Sequence, residues 1–492
     1  MKKAIAIAAG LILVAFNYYG ETTSEENPIE DPFTIPAIST ICGDESSAWK
    51  IPKSVNLPHA EDIPGFPDTN RMINLLQRKA DDLSWRSFIA LNWPADEQGN
   101  PDPEVCFAST PDAQSVFEFW MPSTEIYVEK GEKARPWKAG SRWFSSRPKN
   151  GGQSSEMRIV AKSSEMEINN PESHPVIDKH GHYTLYEIFY NKEAYDYVTS
   201  MGLNTLEGQK KFTTNWPDSD PGFLYITKSD SANAVADTVN IQKQFKRAYF
   251  PVGSIKDSTP SGKNATYIFS IGEGAIIAKT AWLVLLPEDD ISRYHTREVK
   301  LEDGSKLTIG LVGMHIVHKV VEATQWVWSS FEHIDNAPQL GDDGKPAPKA
   351  GAEYVYYDES KGDQKGVNRV PPPGFQKGLK NREPTQVVTL NKPYPEAIEA
   401  NKTYHKMIRE ADPNSVWLNY RMVGTQWPFT PTLFTAGDKY KPKILANSIM
   451  ETYHQKSSSC MGCHSQAKFG KIDDREGFQY NADFIFGLSS AK

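Results

Sequence analysis

Two cysteines three positions apart, with a histidine directly behind the second, stand near the end of the chain: Cys460, Cys463 and His464 in SSSCMGCHSQ. With 4 Cys and 11 His in 492 residues, a C-x-x-C-H arises by chance in about one such sequence in a thousand, so the group needs a chemical cause. Four chemistries use these residues. A disulfide between Cys460 and Cys463 closes a very small ring, adds little loop-closure entropy and leaves His464 without a role. A zinc site needs four ligands, adjacent Cys463 and His464 do not easily turn toward one metal, and Cys42 and Cys106 lie far upstream. A thioredoxin-like pair belongs early in a unit whose strands and helices are still to come, whereas only His464 to Lys492 follow here. Covalent haem uses all three residues. Its two vinyl groups take up the thiols, and the histidine on the same turn reaches the iron as proximal ligand. The sequence therefore predicts one haem c held by Cys460 and Cys463, with His464 on the metal.

Such attachment takes place outside the cytoplasm, so the chain must be exported. Met1-Lys2-Lys3 followed by AIAIAAGLILVAF gives a basic start and a 13-residue apolar run, a length that suits a signal peptide and is short for a membrane span. No small-x-small pair precedes Glu21, because FNYYG puts tyrosines there. Residues 1–20 are thus read as a signal peptide or an uncleaved membrane tether, and the location as periplasmic. No cysteine closely follows the apolar run, so nothing indicates a lipid-modified N-terminus. Cys42 and Cys106, even in number and exported, read as one disulfide.

At 39% hydrophobic and 24% charged residues, the chain is ordinary globular material with length for two or three cores. A net charge of −8 and the lack of any basic stretch with interleaved aromatics argue against a nucleic-acid partner. The 12 Trp, 21 Tyr and 22 Phe beside 34 Pro suit aromatic packing in a loop-rich protein and the walls of a cofactor pocket alike.

The elements that must position the motif come next. Residues 21–65 are acidic and proline-rich, a linker. MINLLQRKADDLSWRSFIALNWP has helical spacing (Ile73, Leu76, Leu83, Phe88, Leu91) and must stop at Pro94. From 115 to 340, YTLYEIFY, ATYIFSIGEGAIIAKTAWLVLL and KLTIGLVGMHIVHKV read as strands with turns, and 337–395 reads as a long surface excursion. Helical spacing returns at 395. In ILANSIMETYHQK, Leu445, Ile449 and Tyr453 share a face, so a helix is expected to deliver the chain to Cys460. The predicted fold is α+β: a strand-rich body (66–395) with flanking helices, and a helical C-terminal c-type haem segment (396–492) packed on it.

The second face of the iron has several candidates. In the common small cytochrome c fold a methionine well downstream of the motif is the second ligand, and here none follows Met461. GMHIVHKVVEATQWVWSSFEHIDNAP is the densest stretch in chemistry, with Met314, His315, His318, Trp326, Trp328, Glu332, His333 and Asp335. Read as a strand, 307–320 places His315 opposite Met314 and His318. A hydrogen-bonded core histidine is the commoner role for each. Met407, Met422, Met450, His405 and His454 lie near the motif in sequence, the methionines suiting core filling and His454 a solvated helix face.

SSSCMGCH after ETYHQ and before ADFIFGL, together with SWRSFIALNWP, GAIIAKTAWLVLL, GMHIVHK and WVWSSFEHIDNAP, resembles a family of large exported bacterial monohaem proteins, the cytochrome c family proteins. The resemblance spans roughly residues 80–492. It implies c-type haem on Cys460 and Cys463, His464 as iron ligand and periplasmic residence, and it brings no substrate. Two classes of function follow. An electron-transfer protein would have a filled second axial position and a redox partner protein. A haem enzyme, peroxidase- or oxygenase-like, would keep an open iron and take a small-molecule substrate, with His315, His318 or His333 moving protons. Electron transfer is the expectation, with contact to a membrane only through the N-terminal tether.

Overall fold

The structure, a computed structural model, describes residues 41–42, 48–53, 69–109, 113–128, 130–137, 176–213, 235–236, 247–252, 255–258, 267–270, 272–300, 306–320, 323–361, 366–369, 383–428, 440–471 and 478–492. The expected leader (1–20) and most of the expected linker (21–65) lie outside them.

The α-helices among the described residues are α1 (Thr69–Leu91), α2 (Ser123–Ile126), α3 (Lys192–Ser200), α4 (Leu206–Thr213), α5 (Pro395–Ala411) and α6 (Cys460–His464). The strands are β1 (Met121–Pro122), β2 (Leu185–Tyr190), β3 (Val235–Ala236), β4 (Ile255–Ser258), β5 (Tyr267–Ser270), β6 (Ile276–Leu285), β7 (Thr296–Lys300), β8 (Lys306–Val320) and β9 (Ala323–His333). They continue with β10 (Gln339–Leu340), β11 (Pro346–Ala347), β12 (Tyr420–Pro428), β13 (Tyr440–Lys441), β14 (Lys468–Lys471) and β15 (Phe478–Asn481). The fold is α+β, with a strand-rich body. Its centre is an antiparallel sheet in the order β1-β2-β6-β8-β9-β12-β13, with β7 also paired to β8. Residues 396–492 thus contribute the inner strand β12 to the body's own sheet as well as α5 and α6.

Alternation along the strands sorts side chains onto two faces. On one, Met314, Ile316, Phe331 and Met422 meet Trp85 and Phe88 of α1 and Tyr404 of α5. Phe88 stacks on Phe331 at 4.2 Å and Trp85 on Tyr404 at 5.1 Å, and each such side chain contributes about 1.5–3 kcal/mol by leaving water. On the other face, Tyr190, Ile277, Val317 and Trp328 lie under Cys460, Met461, Phe484 and Leu488. The sheet therefore separates a helical layer from the layer that carries the C-x-x-C-H motif. α1 ends at Leu91, three residues before Pro94, as its sequence predicts.

Three expectations are corrected. No helix forms over 444–456, which is irregular to Asn447 and a run of turns from Ser448, because side chains take the backbone groups a helix would use. Asn447 Oδ1 accepts from the Ile449 and Met450 amides, and the Ser448 amide donates to Glu332 of β9. Within the stretch read as strands, α3 and α4 are helices. Asn191 caps α3 by accepting from the Ala194 amide, a signal hidden by the tyrosines' strand preference. Nor is 337–395 all surface: Tyr356, Val387 and Val388 are fully buried. The expected Cys42 to Cys106 disulfide is formed, and no described helix is long and apolar enough to cross a membrane.

Candidate functional site

The motif forms a short helix, α6, whose start is satisfied by two side chains. Ser459 Oγ accepts from the Gly462 amide at 3.1 Å, and the fully buried Gln426 of β12 accepts from the Met461 amide at 2.7 Å. These meet donors that the first turn of any helix leaves unpaired. Gln426 also donates to the Pro442 carbonyl and to Ser459, tying the motif to the sheet edge. Met461 is fully buried and anchors the turn, Cys460 is buried and Cys463 exposed. The two thiols are not bonded to each other. Burial pushes both up, Cys460 well above the usual thiol range, and the nearby Glu451 carboxylate pushes the same way while Lys279 opposes it.

His464 is held with one nitrogen free. Its Nδ1 lies 2.7 Å from the Phe484 carbonyl oxygen. A carbonyl only accepts, so the proton sits on Nδ1 and the lone pair is left on Nε2. The ring lies between Trp328 at 4.5 Å and Phe486 at 5.1 Å, and burial lowers its pKa to about 4. A neutral, oriented imidazole with its second nitrogen hydrogen-bonded to a carbonyl is the arrangement of a metal-binding histidine.

The carbonyl that does this is itself clamped. Asp483 and Phe484 both have positive φ (52° and 69°), as does Trp326 (74°), all without being glycine, a conformation that persists only where the surroundings impose it. Here they do. The buried Asp483 carboxylate accepts from Arg247 Nη2 at 2.9 Å, from the Phe250 amide at 2.8 Å and from Lys319 Nζ, and Trp326 Nε1 donates to the Asp483 carbonyl at 2.9 Å. Lys319 is fully buried over the Tyr249 and Trp326 rings; burial lowers its pKa to about 8 against the pull of Asp483.

The candidates for the second face separate. As the strand reading of 307–320 implies, Met314 and His318 point to the helical layer and His315 toward the motif. His318 meets Ser87 Oγ at 3.3 Å and the Glu273 carbonyl at 2.6 Å. His333 bonds the Arg293 carbonyl and the Asp335 amide, and His405 the Tyr420 carbonyl. Burial lowers His318 and His333 to about 4; both are neutral core histidines. Glu332 is held by Arg421 and Ser448, and Asp335 by Arg293. Met407 and Met422 pack with the helical layer, Met450 packs in a separate apolar cluster, and His454 is half-buried. The stretch richest in chemistry therefore contributes mainly structure, with His315, Trp326 and Trp328 directed to the motif. Sequence reasoning missed Gln426, Lys319, Arg247 and Asp483. The one visible signal was a lysine inside the apolar strand GLVGMHIVHKV.

Among the described residues no three or more His, Cys, Asp or Glu side chains are arranged to hold a metal ion. No family model, curated protein or solved structure matches the chain.

Proposed function

We propose that the chain is an exported, periplasmic monohaem c-type cytochrome. Its haem is attached through Cys460 and Cys463 with His464 as iron ligand, and it works in electron transfer with a redox partner protein. The observation that carries this reading is the His464 Nδ1–H donated to the Phe484 carbonyl, which leaves Nε2 as a lone-pair donor next to two unbonded thiols. A redox dithiol or a small disulfide has no use for that imidazole. The disulfide at Cys42 and Cys106 supports an oxidising compartment, and the likeness to large exported monohaem proteins points the same way.

When bound, the haem would supply a one-electron iron couple. The protein's part is positional. Gln426 and Ser459 fix the helix that presents the thiols, the Phe484 carbonyl keeps the proton on Nδ1 and raises the basicity of Nε2, and Trp328 and Phe486 hold the ring. The test is a spectroelectrochemical titration of the protein matured with a cytochrome c assembly system, followed by incubation with peroxide and a reducing dye. One reversible one-electron wave without peroxide turnover is expected; rapid turnover would move the assignment to a haem enzyme.

A further inference from the structure

The sheet face beneath the motif carries one imidazole nitrogen that the fold leaves without a use. Lys279, His315 and Ser330 stand side by side on β6, β8 and β9, and Ile277, Val317 and Trp328 form the next row on the same face. The rows are one pleat repeat apart, about 6.6 Å. His464 rests on Trp328 of the second row, so His315 rises beside it from the first. The His315 side chain is 12% exposed, and its Nε2 is buried without a hydrogen-bond partner. The nearest carboxylate oxygen, Glu451 Oε2, is 3.6 Å away, too far for a hydrogen bond. Buried nitrogens without partners are rare in folded proteins and ask what they are kept for.

We propose that Nε2 of His315 supplies the second axial ligand of the haem iron, an inference that rests on the haem assignment above. Three observations converge on it. Glu451, the neighbour of His315, belongs to the turns that lead into the motif, and Cys460 and Met461 pack in one cluster with Val317 and Trp328 of the row next to His315; His315 therefore stands beside the motif's own packing. The nitrogen is buried and makes no hydrogen bond as donor or acceptor, so no contact in the fold occupies it. The other histidines of the same stretch, His318 and His333, have both ring nitrogens engaged elsewhere. Met450 reaches the same face, its ε-methyl 3.4 Å from where a β-carbon on Gly313 would stand, but it packs inside an apolar cluster that contains neither thiol.

The experiment compares the matured wild-type protein with His315→Ala and His315→Met. It reads covalent haem per chain, the ferric and ferrous absorption spectra, the effect of carbon monoxide and the reduction potential. Wild type is expected to be low-spin and unchanged by carbon monoxide. His315→Ala should keep one haem per chain, turn high-spin and bind one carbon monoxide per haem. His315→Met retains a side chain of similar length, covers the case in which the alanine variant does not fold, and should raise the potential, as histidine–methionine ligation does. A high-spin wild type that binds carbon monoxide would overturn the proposal, as would variants whose spectra and potential equal those of wild type. Wild-type protein without covalent haem would instead refute the haem assignment, and this proposal would fall with it.

Discussion

Asp483→Asn separates the role of the buried clamp from that of the fold around it. The carboxylate neutralises two buried cations, Arg247 and Lys319, and accepts the Phe250 amide. Asparagine keeps the shape and removes the negative charge that Arg247 and Lys319 face. Breaking a buried ion pair in this way costs about 3–5 kcal/mol, and domains typically hold about 5–15 kcal/mol, so the variant should still fold. The second effect is local. Asp483 and Phe484 sit at positive φ within the clamp, and if it loosens, the Phe484 carbonyl is expected to move off His464 Nδ1. With haem bound as proposed, the imidazole would then be a weaker donor and the ferric state would lose stabilisation. Each kcal/mol of difference between the two oxidation states is about 40 mV for one electron, so a hydrogen bond of about 1–3 kcal/mol predicts a potential raised by about 40–120 mV. The assay pairs chemical denaturation with spectroelectrochemistry, with Glu118→Gln as the control. Glu118 is a buried carboxylate held by His295 and Arg297, and its loss should lower stability and leave the potential alone. An Asp483→Asn protein destabilised as expected, with an unchanged potential, would refute the link from clamp to histidine.

Other outcomes can be checked on the same protein. Replacing Cys42 and Cys106 by serine opens a cross-link of sequence separation 64 and should cost about 4 kcal/mol by loop-closure entropy, read from the denaturation midpoint. His318 has its pKa lowered to about 4 by burial, so between pH 6.5 and 4 the unfolded chain binds a proton that the folded chain refuses. Its contribution is complete above pH 6.5 and is lost as pH falls toward 4, about 3 kcal/mol in all. The stability difference between wild type and His318→Gln should follow that curve, and a flat difference would count against a neutral core histidine. Gln426→Ala removes the acceptor for the Met461 amide and should cost about 1–3 kcal/mol together with a lower yield of covalent haem in the exported protein.

The sequence made α1 legible because its apolar positions recur at helical spacing up to Pro94, and β8 because its β-branched run settles which way His315 faces. The helix expected over 444–456 failed for a reason the local pattern does not contain: Asn447 and Ser448 find partners on β9, more than a hundred positions away in the chain. The same limit applies to the site. The reading of Cys460, Cys463 and His464 rests on spacing alone, since the pattern they form is local. Gln426, Lys319, Arg247 and Asp483 act through pairings set by the sheet and the C-terminal turn, and each is an unremarkable residue until the fold brings it to the motif. The cluster at Glu332, His333 and Asp335 misleads in the opposite direction, because charged residues that stitch the buried end of an inner strand to its neighbours look in sequence like catalytic ones.

The most direct test of covalent haem at the C-terminal motif is the mass of the denatured, exported protein after maturation with a cytochrome c assembly system. The account predicts a chain heavier by one haem, the addition borne by the peptide containing Cys460 and Cys463 and lost in the Cys460→Ser, Cys463→Ser double variant. A chain at the polypeptide mass with both thiols open to alkylation, or haem retained by the denatured double variant, would contradict it.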